Sequence, residues 1–210
     1  MIRIAIADDH AIVRAGLRQF LGDHDDLRVV AECATGRELL DVVRAESADV
    51  VLLDIAMPDQ SGVDILLAVK ARAPALPVLM LSGYPEAHYA TALLRQGAAG
   101  YLNKDCDPDE IVRAIRQVIT GRRYITAGVA EQLAAGLAGD GEQAPHEQLS
   151  ARELQVFMHL ARGDSVGQLA QSLSLSAKTV STYRTRVLEK LGLASNSDLT
   201  YYAMKNGLLD

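Results

Sequence analysis

Residues 50–82 read VVLLDIAMPDQSGVDILLAVKARAPALPVLMLS, and this stretch decides the fold. Two short apolar runs, Val50–Asp54 and Val78–Ser82, flank a segment at 63–73 whose apolar residues recur with helical spacing. Runs that are apolar at consecutive positions are typical of parallel strands that are covered on both faces. The stretch therefore predicts a strand, a crossover helix and a second strand parallel to the first.

The same alternation extends over the first 121 residues. Asp107 and Pro108 mark the start of the last helix, an N-cap residue followed by proline at the first helical position. Five strand–helix units in succession predict an α/β fold with a five-stranded, doubly wound parallel sheet. The other strands are predicted at 2–7, 27–31 and 100–102, and the other helices at 11–21, 36–45, 86–96 and 108–120.

The pattern changes after residue 121. Residues 127–138 could form a short helix, but Gly136 near its end, followed by glycines at 139 and 141 and a proline at 145, indicates a linker. From residue 149 onward every segment has helical periodicity, with helices predicted at 151–162, 166–173, 177–191 and 197–205. We therefore predict three parts: a first domain at 1–121, a partly helical linker at 122–147 and a small all-α domain at 148–210.

The charges are divided unevenly between these parts. The first 121 residues carry 12 basic and 18 acidic side chains, whereas 148–210 carry 7 basic and 5 acidic ones. A mildly basic second domain is a weak indication of nucleic-acid binding. No run approaches the roughly 20 apolar residues of a membrane helix, and carboxylates interrupt the N-terminus at Asp8 and Asp9. These features predict a soluble, cytoplasmic protein that does not contact a membrane.

The cysteines and histidines show no pattern of a metal or disulfide site. Cys33 and Cys106 are too few for a disulfide framework or a four-thiolate zinc site, and we expect reduced thiols. The five histidines have no metal-ligand spacing, so we expect them to be structural or surface residues; they are His10, His24, His88, His146 and His159.

Polar side chains stand at the ends of the predicted strands. Asp8 and Asp9 follow the first strand, Asp54 ends the third, Ser82 ends the fourth and Lys104 follows the fifth. The carboxyl ends of parallel strands form one functional edge, so these side chains should converge. Three clustered carboxylates repel one another unless a hard divalent cation neutralises them, and oxygen ligands suit Mg²⁺. A metal-bound aspartate can attack a phosphoryl group while a lysine stabilises the developing charge.

Four motifs carry a resemblance to a known family. DDH at 8–10, LLDIAMPDQSG at 52–62, LSGY at 81–84 and GYLNKD at 100–105 resemble the receiver domain of bacterial two-component response regulators. The resemblance implies that Asp54 accepts a phosphoryl group from a partner sensor histidine kinase.

The same resemblance assigns roles to the other strand-end residues. Asp9 would bind Mg²⁺ directly with help from Asp8, and Asp54 and the carbonyl oxygen of Ala56 would complete the protein ligands. The residues expected to respond to the phosphoryl group are Ser82 as its hydroxyl contact, Lys104 as its ion-pair partner and Tyr101 as the rotating switch aromatic.

The last domain has the proportions of a helix-turn-helix. In the helix at 177–191, Val180, Tyr183, Val187 and Leu191 form an apolar stripe, and the polar, mildly basic remainder suits a helix in the major groove. The segments LSARELQVFMHLARG (149–163) and LSLSAKTVSTYRTRVLEKLGL (173–193) resemble the LuxR-type helix-turn-helix of NarL/FixJ-family regulators. That resemblance implies contact with double-stranded promoter DNA through Lys178, Thr179, Ser181, Thr182, Thr185 and Arg186.

The last helix has an apolar stripe at Leu199, Tyr202 and Ala203, which would close the core of the domain. The resemblance implies that the same residues also form the contact of a homodimer of the phosphorylated form. One segment departs from the family pattern. Family members usually carry a polar stretch where this chain has SVGQ at 165–168, and Gly167 within a helix costs about 1 kcal/mol relative to alanine. Gly167 also removes a side chain that could contact DNA phosphate.

We predict a two-domain transcription regulator that is phosphorylated at Asp54 and is not a turnover enzyme. Two alternatives remain open. A Mg²⁺-dependent phosphohydrolase would also use aspartate and lysine at strand ends, but it needs an acid/base aspartate two residues after the nucleophile, where Ala56 stands. A phosphate sink or protein-interaction module, with a tail that has lost DNA binding, is kept open by Gly167.

Overall fold

The computed structural model describes residues 1–57, 60–83, 86–138, 144–173 and 175–209, without the side chains of 87, 88, 132 and 135–138. Contacts divide the chain into two compact units, Met1–Ala130 and Glu131–Asp210. Each unit is described by itself. No helix in these ranges combines the length and the apolar character that crossing a bilayer requires.

The first unit is a five-stranded parallel sheet between two layers of helices, which confirms the predicted α/β fold. The strands lie in the order β2-β1-β3-β4-β5, so β1 and β3 are central. The strands are β1 (Ile2–Ala7), β2 (Leu27–Cys33), β3 (Val50–Asp54), β4 (Val78–Ser82) and β5 (Gly100–Asn103), and the helices are α1 (Ala11–Gly22), α2 (Gly36–Arg44), α3 (Gly62–Arg72), α4 (Glu86–Arg95) and α5 (Pro108–Ile119).

Burial explains why the central strands are apolar at consecutive positions. All five residues of β3 and of β4 are buried, because helices cover both faces of the sheet. On one face the core includes Leu52, Leu79 and Leu81 of the strands and Ile111 and Ile115 of α5. The strand β2 runs two residues further than predicted, since its last residue still pairs with Ala7 of β1.

The segment that follows α5 is bound to the first unit. The N–H of Tyr124 donates to the carbonyl of Ala99 (2.8 Å), and the Tyr124 hydroxyl donates to Glu110 Oε1 (2.7 Å). A Cβ on Gly100 would lie 2.8 Å from the Tyr124 carbonyl oxygen, so only glycine fits there. The helix α6 (Ala127–Ala138) follows, where a short helix was predicted. The boundaries at 121 and 148 stay predictions, and linker residues 139–143 lie outside the described ranges.

The second unit is helical, as predicted. A 3₁₀ turn at Pro145–Gln148, which the sequence did not indicate, precedes α7 (Ala151–Ala161), α8 (Val166–Ser172), α9 (Ala177–Leu191) and α10 (Asn196–Lys205). Three helices begin with capping boxes, Ser150 with Glu153, Ser165 with Gln168 and Ser195 with Asp198. The helix α9 ends at Gly192, whose φ of 66° suits glycine.

Candidate functional site

The predicted carboxylates do converge at the carboxyl edge of the sheet. Asp8 directly follows β1 and Asp54 ends β3, and both are buried. Ligand atoms of Asp8, Asp9, Asp54 and one further residue, His10, all lie within 4.8 Å of one another. His10 was predicted to be a structural or surface residue. Its position directly after two aspartates at a strand end is the signal that could have placed it here.

Lys104 is the cation that faces the two buried carboxylates. Its Nζ lies 2.7 Å from Asp8 Oδ2 and 2.9 Å from Asp54 Oδ2. The backbone N–H of Lys104 donates to the Ser82 carbonyl (2.8 Å), which extends the ladder between β4 and β5 and holds the side chain at this edge. Burial lowers the pKa of Lys104, but the bonds to Asp8 and Asp54 outweigh it, so the net change is a raised pKa. The lysine is therefore held in its charged form.

The electrostatics of the site leave Asp54 short of positive charge. Burial is the largest cause of its raised pKa; the neighbouring Asp8 also raises it, while Lys104 and the N–H of Ala56 lower it. The buried oxygens Asp8 Oδ2 and Asp54 Oδ2 share the single ammonium of Lys104, and the buried Asp9 Oδ1 accepts no hydrogen bond from the described residues. One ammonium faces three carboxylates, so the donor set fits a small divalent cation with a preference for oxygen.

The backbone beside Asp54 is held in place by close packing. The N–H of Ile55 donates to the Leu81 carbonyl (3.2 Å), and the N–H of Gly62 donates to the Ile55 carbonyl (2.9 Å). A Cβ on Gly62 would lie 2.0 Å from the Asp54 carbonyl oxygen, so a side chain at this position would displace the backbone of Asp54. Ala56 is exposed beyond Asp54; residues 58–59 of the motif lie outside the described ranges.

The two predicted switch residues lie on adjacent strands. Ser82 is buried at the end of β4, one step beyond Leu81, which is the register partner of Asp54. Tyr101 is buried in β5 opposite Met80. A Cβ on the exposed Gly83 would meet no atom within 4 Å, so there is open space beside Ser82. Their roles in switching stay predictions.

In the second unit, α9 presents a polar face with two cations. Lys178, Ser181, Thr182, Thr185 and Arg186 are all exposed, and the opposite side buries Val180, Val187, Leu188 and Leu191. The prediction that Tyr183 belongs to the apolar stripe is only partly right. Tyr183 is half-buried, and its ring lies 6.0 Å from the Arg186 guanidinium carbon. This face has a cavity with a volume of about 330 Å³, lined by Lys178, Thr179, Thr182, Tyr183 and Arg186.

The threonine hydroxyls on this face donate within their own helix. Thr182 Oγ1 donates to the Lys178 carbonyl (3.0 Å), and Thr185 Oγ1 donates to the Ser181 carbonyl (3.1 Å). Thr179 lies at the helix start, where its N–H donates to the N-cap Ser176 (3.0 Å). The hydroxyls of Thr182 and Thr185 are therefore oriented as acceptors toward anything that approaches α9.

The predicted dimer contacts need correction. Leu199 and Ala203 are 0% exposed, so they pack in the core of the second unit and cannot touch a second chain. Tyr202 is partly exposed, with its hydroxyl 3.0 Å from His146 Nδ1 and its ring edge-to-face with Phe157, and a dimer contact at this residue stays a prediction. The exposed apolar residues of α10 are Tyr201 (70%) and Met204 (61%). The stripe closes the domain core at Leu199 and Ala203, which is the first of its two predicted roles.

Known proteins resemble both units. Residues 4–116 match the family described as response regulator receiver domain, and residues 147–203 match bacterial regulatory proteins of the luxR family. Response regulator UvrY of Escherichia coli O6:H1 is 36% identical over 209 residues, which cover 99% of this chain and 96% of UvrY. Response regulator GacA of Pseudomonas aeruginosa is 36% identical over 211 residues, which cover 100% of this chain and 99% of GacA.

Solved structures show the same architecture. RcsB from Salmonella enterica serovar Typhimurium, bound to promoter rprA in the presence of the phosphomimetic BeF₃⁻, is 25% identical with a TM-score of 0.71, covering 96% of this chain and 97% of that chain. Two family matches and relatives aligned along nearly the whole chain lead to one conclusion. The chain belongs to the response regulators of the NarL/FixJ family, transcription regulators that join a receiver domain to a LuxR-type DNA-binding domain and are not enzymes.

Proposed function

We propose that a sensor histidine kinase phosphorylates this regulator on Asp54 in a Mg²⁺-dependent step, and that phosphorylation controls dimerisation and promoter binding in the cytoplasm. One observation carries the proposal: the buried Asp54 carboxylate lies 2.9 Å from Lys104 and shares its edge of the sheet with Asp8 and Asp9. Asp8, Asp9, Asp54 and the carbonyl oxygen of Ala56 would hold the ion, which when bound neutralises the carboxylates and offsets the charge of the phosphoryl oxygens.

The chain's own residues supply the nucleophile and one fixed positive charge. A carboxylate oxygen of Asp54 attacks phosphorus as the bond to the kinase imidazole breaks, and the departing imidazole takes up a proton. Lys104 favours the ionised form of Asp54 against the effect of its burial, and its ammonium is already in place for the phosphoryl oxygens. The backbone held by Gly62 fixes the direction of attack.

Ser82 and Tyr101 would convert the new phosphoryl group into a change of conformation. The Ser82 hydroxyl would move toward a phosphoryl oxygen, and Tyr101, on the neighbouring strand, would follow. Such a ligand shifts an existing two-state equilibrium by its difference in affinity for the two states. Asp54→Asn and Ser82→Ala should therefore fail differently, the first in accepting the phosphoryl group and the second in responding to it.

The second unit would deliver the output. RcsB, a structural relative, was solved on promoter DNA, and the polar face of α9 is the corresponding candidate here. Lys178 and Arg186 would contact phosphate and base edges, and the threonine oxygens would accept from base amino groups. Dimerisation of the phosphorylated form would use the exposed Tyr201 and Met204 on α10.

Intact-mass measurement tests the first step. With Mg²⁺ and acetyl phosphate, the chain should gain one phosphoryl group, and EDTA should prevent it, because donor and carboxylates otherwise repel. Asp54→Asn should gain none, whereas Asp105→Asn, which removes an exposed carboxylate directly after Lys104, should react like the parent. Undiminished labelling of Asp54→Asn would refute the assignment, and release of phosphate over many turnovers would indicate a phosphohydrolase.

A further inference from the structure

The imidazole of His10 is turned into the carboxylate cluster although its place in the sequence does not require it. His10 is the N-cap residue of α1, yet its side chain makes no capping hydrogen bond. Its Nδ1 lies 2.7 Å from Asp9 Oδ1 and 3.2 Å from Asp8 Oδ1. Most of the ring is exposed, so burial does not force this orientation. The contact with two carboxylates is the feature that needs an explanation.

Hydrogen bonding accounts for only part of this contact. Nδ1 carries at most one proton, and it is within hydrogen-bonding geometry of Asp8 Oδ1, which already accepts the His10 backbone N–H at 2.8 Å. Asp9 Oδ1 is buried and accepts no hydrogen bond from the described residues, even though Nδ1 is its close neighbour. In the tautomer with its proton on Nε2, Nδ1 presents a lone pair to both carboxylates, and electron-rich atoms at these distances are stable together when a cation binds them.

The spacing of the atoms is that of ligands around one ion. Neighbouring ligand atoms of an octahedral ion, each roughly 2.1 Å from the metal, lie about 3 Å apart. The two distances from Nδ1 lie on either side of that value. An imidazole nitrogen adds little for Mg²⁺, which prefers oxygen, but it strengthens the binding of first-row transition cations.

We propose that His10 Nδ1 is a further protein ligand of the divalent cation at this site, and that it gives the site a preference for first-row transition cations over Mg²⁺. The inference rests on the proposed function, because it uses the same carboxylates. His10 then adds to the selection of the ion that supports phosphorylation of Asp54, because a nitrogen ligand increases the affinity for transition cations more than the affinity for Mg²⁺.

Two measurements on the untagged full chain test this ligand. Calorimetric titration of His10→Asn should show Co²⁺ binding weakened about tenfold or more, with Mg²⁺ binding changed less than about twofold. Mn²⁺ bound to the parent should show a nitrogen coupling in pulsed electron paramagnetic resonance that His10→Asn lacks. His24→Gln is the matched control, because His24 lies beyond the far end of α1, and it should behave like the parent in both measurements.

Asp9→Asn separates the failure of this inference from that of the proposed function. Loss of binding of both ions in Asp9→Asn, together with selective loss of Co²⁺ binding in His10→Asn, supports both. A second outcome is that Asp9→Asn loses binding of both ions, while the parent shows no nitrogen coupling and His10→Asn binds Co²⁺ as tightly as the parent. This result overturns the role of His10 and leaves the proposed function standing. Metal binding that does not change in Asp9→Asn overturns both.

Discussion

The carboxylate edge of the receiver domain and the polar face of α9 are built in opposite ways. The first collects side chains from four strand ends, separated by about a hundred residues, into a buried cluster held by the sheet. The second takes exposed side chains from one helix of 15 residues. A buried cluster depends on every strand that supplies it, whereas an exposed face is a set of separable contacts. Substitutions should therefore act almost all-or-none at the first region and gradually at the second.

The largest effect is expected where packing fixes the phosphoacceptor. Gly62→Ala would place a Cβ 2.0 Å from the Asp54 carbonyl oxygen, so the loop or the end of β3 must shift. We expect a loss of stability of about 3 kcal/mol and loss of phosphorylation. Urea unfolding and intact-mass measurement check this. Gly16→Ala, in an open position of α1, should instead raise stability by up to about 1 kcal/mol; equal effects of the two substitutions would contradict the packing argument.

Removal of the Lys104 ammonium should lower stability nearly as much as Gly62→Ala does, but bound metal should reverse the loss. Lys104→Met leaves the buried Asp8 and Asp54 without their ion-pair partner, which should cost about 3 kcal/mol in EDTA. Mg²⁺ should restore most of this loss, since it binds the native state and neutralises the same oxygens. Thermal unfolding with EDTA and with Mg²⁺ measures both effects. A loss of stability that Mg²⁺ does not reduce would show that the ion binds elsewhere.

The pH dependence of stability isolates Asp54. The pKa of Asp54 is raised on folding, chiefly by burial, so ionisation of Asp54 destabilises the folded state. This loss of stability is absent below the unfolded pKa near 3.8 and complete above the folded pKa. Without metal, Asp54→Asn should be more stable than the parent at neutral pH and equal to it below that pKa. Unfolding curves across pH check the sign. A gain that persists unchanged under acid conditions would have another cause.

Substitutions on α9 should have smaller effects on function, and each should change a separate property of DNA binding. Lys178→Ala should weaken binding of the phosphorylated chain to selected and random duplexes alike and reduce the salt slope by about one. Thr182→Ala should lower discrimination between bases by about 1 kcal/mol and leave the slope unchanged, since its hydroxyl oxygen is an acceptor. Binding across a salt series separates the two. Equal losses on both duplexes for Thr182→Ala would mean that this threonine does not read bases.

The smallest effect on stability is expected at the exposed residues of α10. Tyr201→Ser should weaken self-association of the phosphorylated chain while its melting temperature stays within a few degrees of the parent's. Leu199→Ser should instead unfold the tail, because that side chain lies in the core. Analytical ultracentrifugation and thermal unfolding distinguish the two cases. Parent-like dimerisation of Tyr201→Ser would remove this residue from the interface.

Sequence periodicity was sufficient for elements that depend on local apolar patterns. The strands at 50–54 and 78–82 were predicted to the residue, and their ends brought the predicted carboxylates together. The distinction between core and surface on α10 was not predictable, because an apolar stripe at Leu199 and Ala203 looks the same whether it meets its own domain or a partner. The assignment depends on which side α7 covers, and that is a tertiary property.

Two further features also depend on contacts between distant residues. The His10 ring contacts its chain neighbours Asp8 and Asp9, and it comes close to Asp54 only because the ends of β1 and β3 meet. The binding of Tyr124 to β5 and α5 depends on a glycine 24 residues earlier, Gly100, that leaves room for it. Neither has a local periodic signal, so the sequence predicted a structural or surface histidine and the start of a linker.

Coupling between the carboxylate edge of the receiver domain and the polar face of α9 is measured by binding to a promoter duplex before and after phosphorylation. The parent and Asp54→Asn are each titrated with and without acetyl phosphate and Mg²⁺. The parent should gain about tenfold in affinity, a normal size for coupling between two sites, and Asp54→Asn should gain nothing. An equal gain in both proteins, or no gain in a parent that intact mass shows to be phosphorylated, would contradict control of α9 by Asp54.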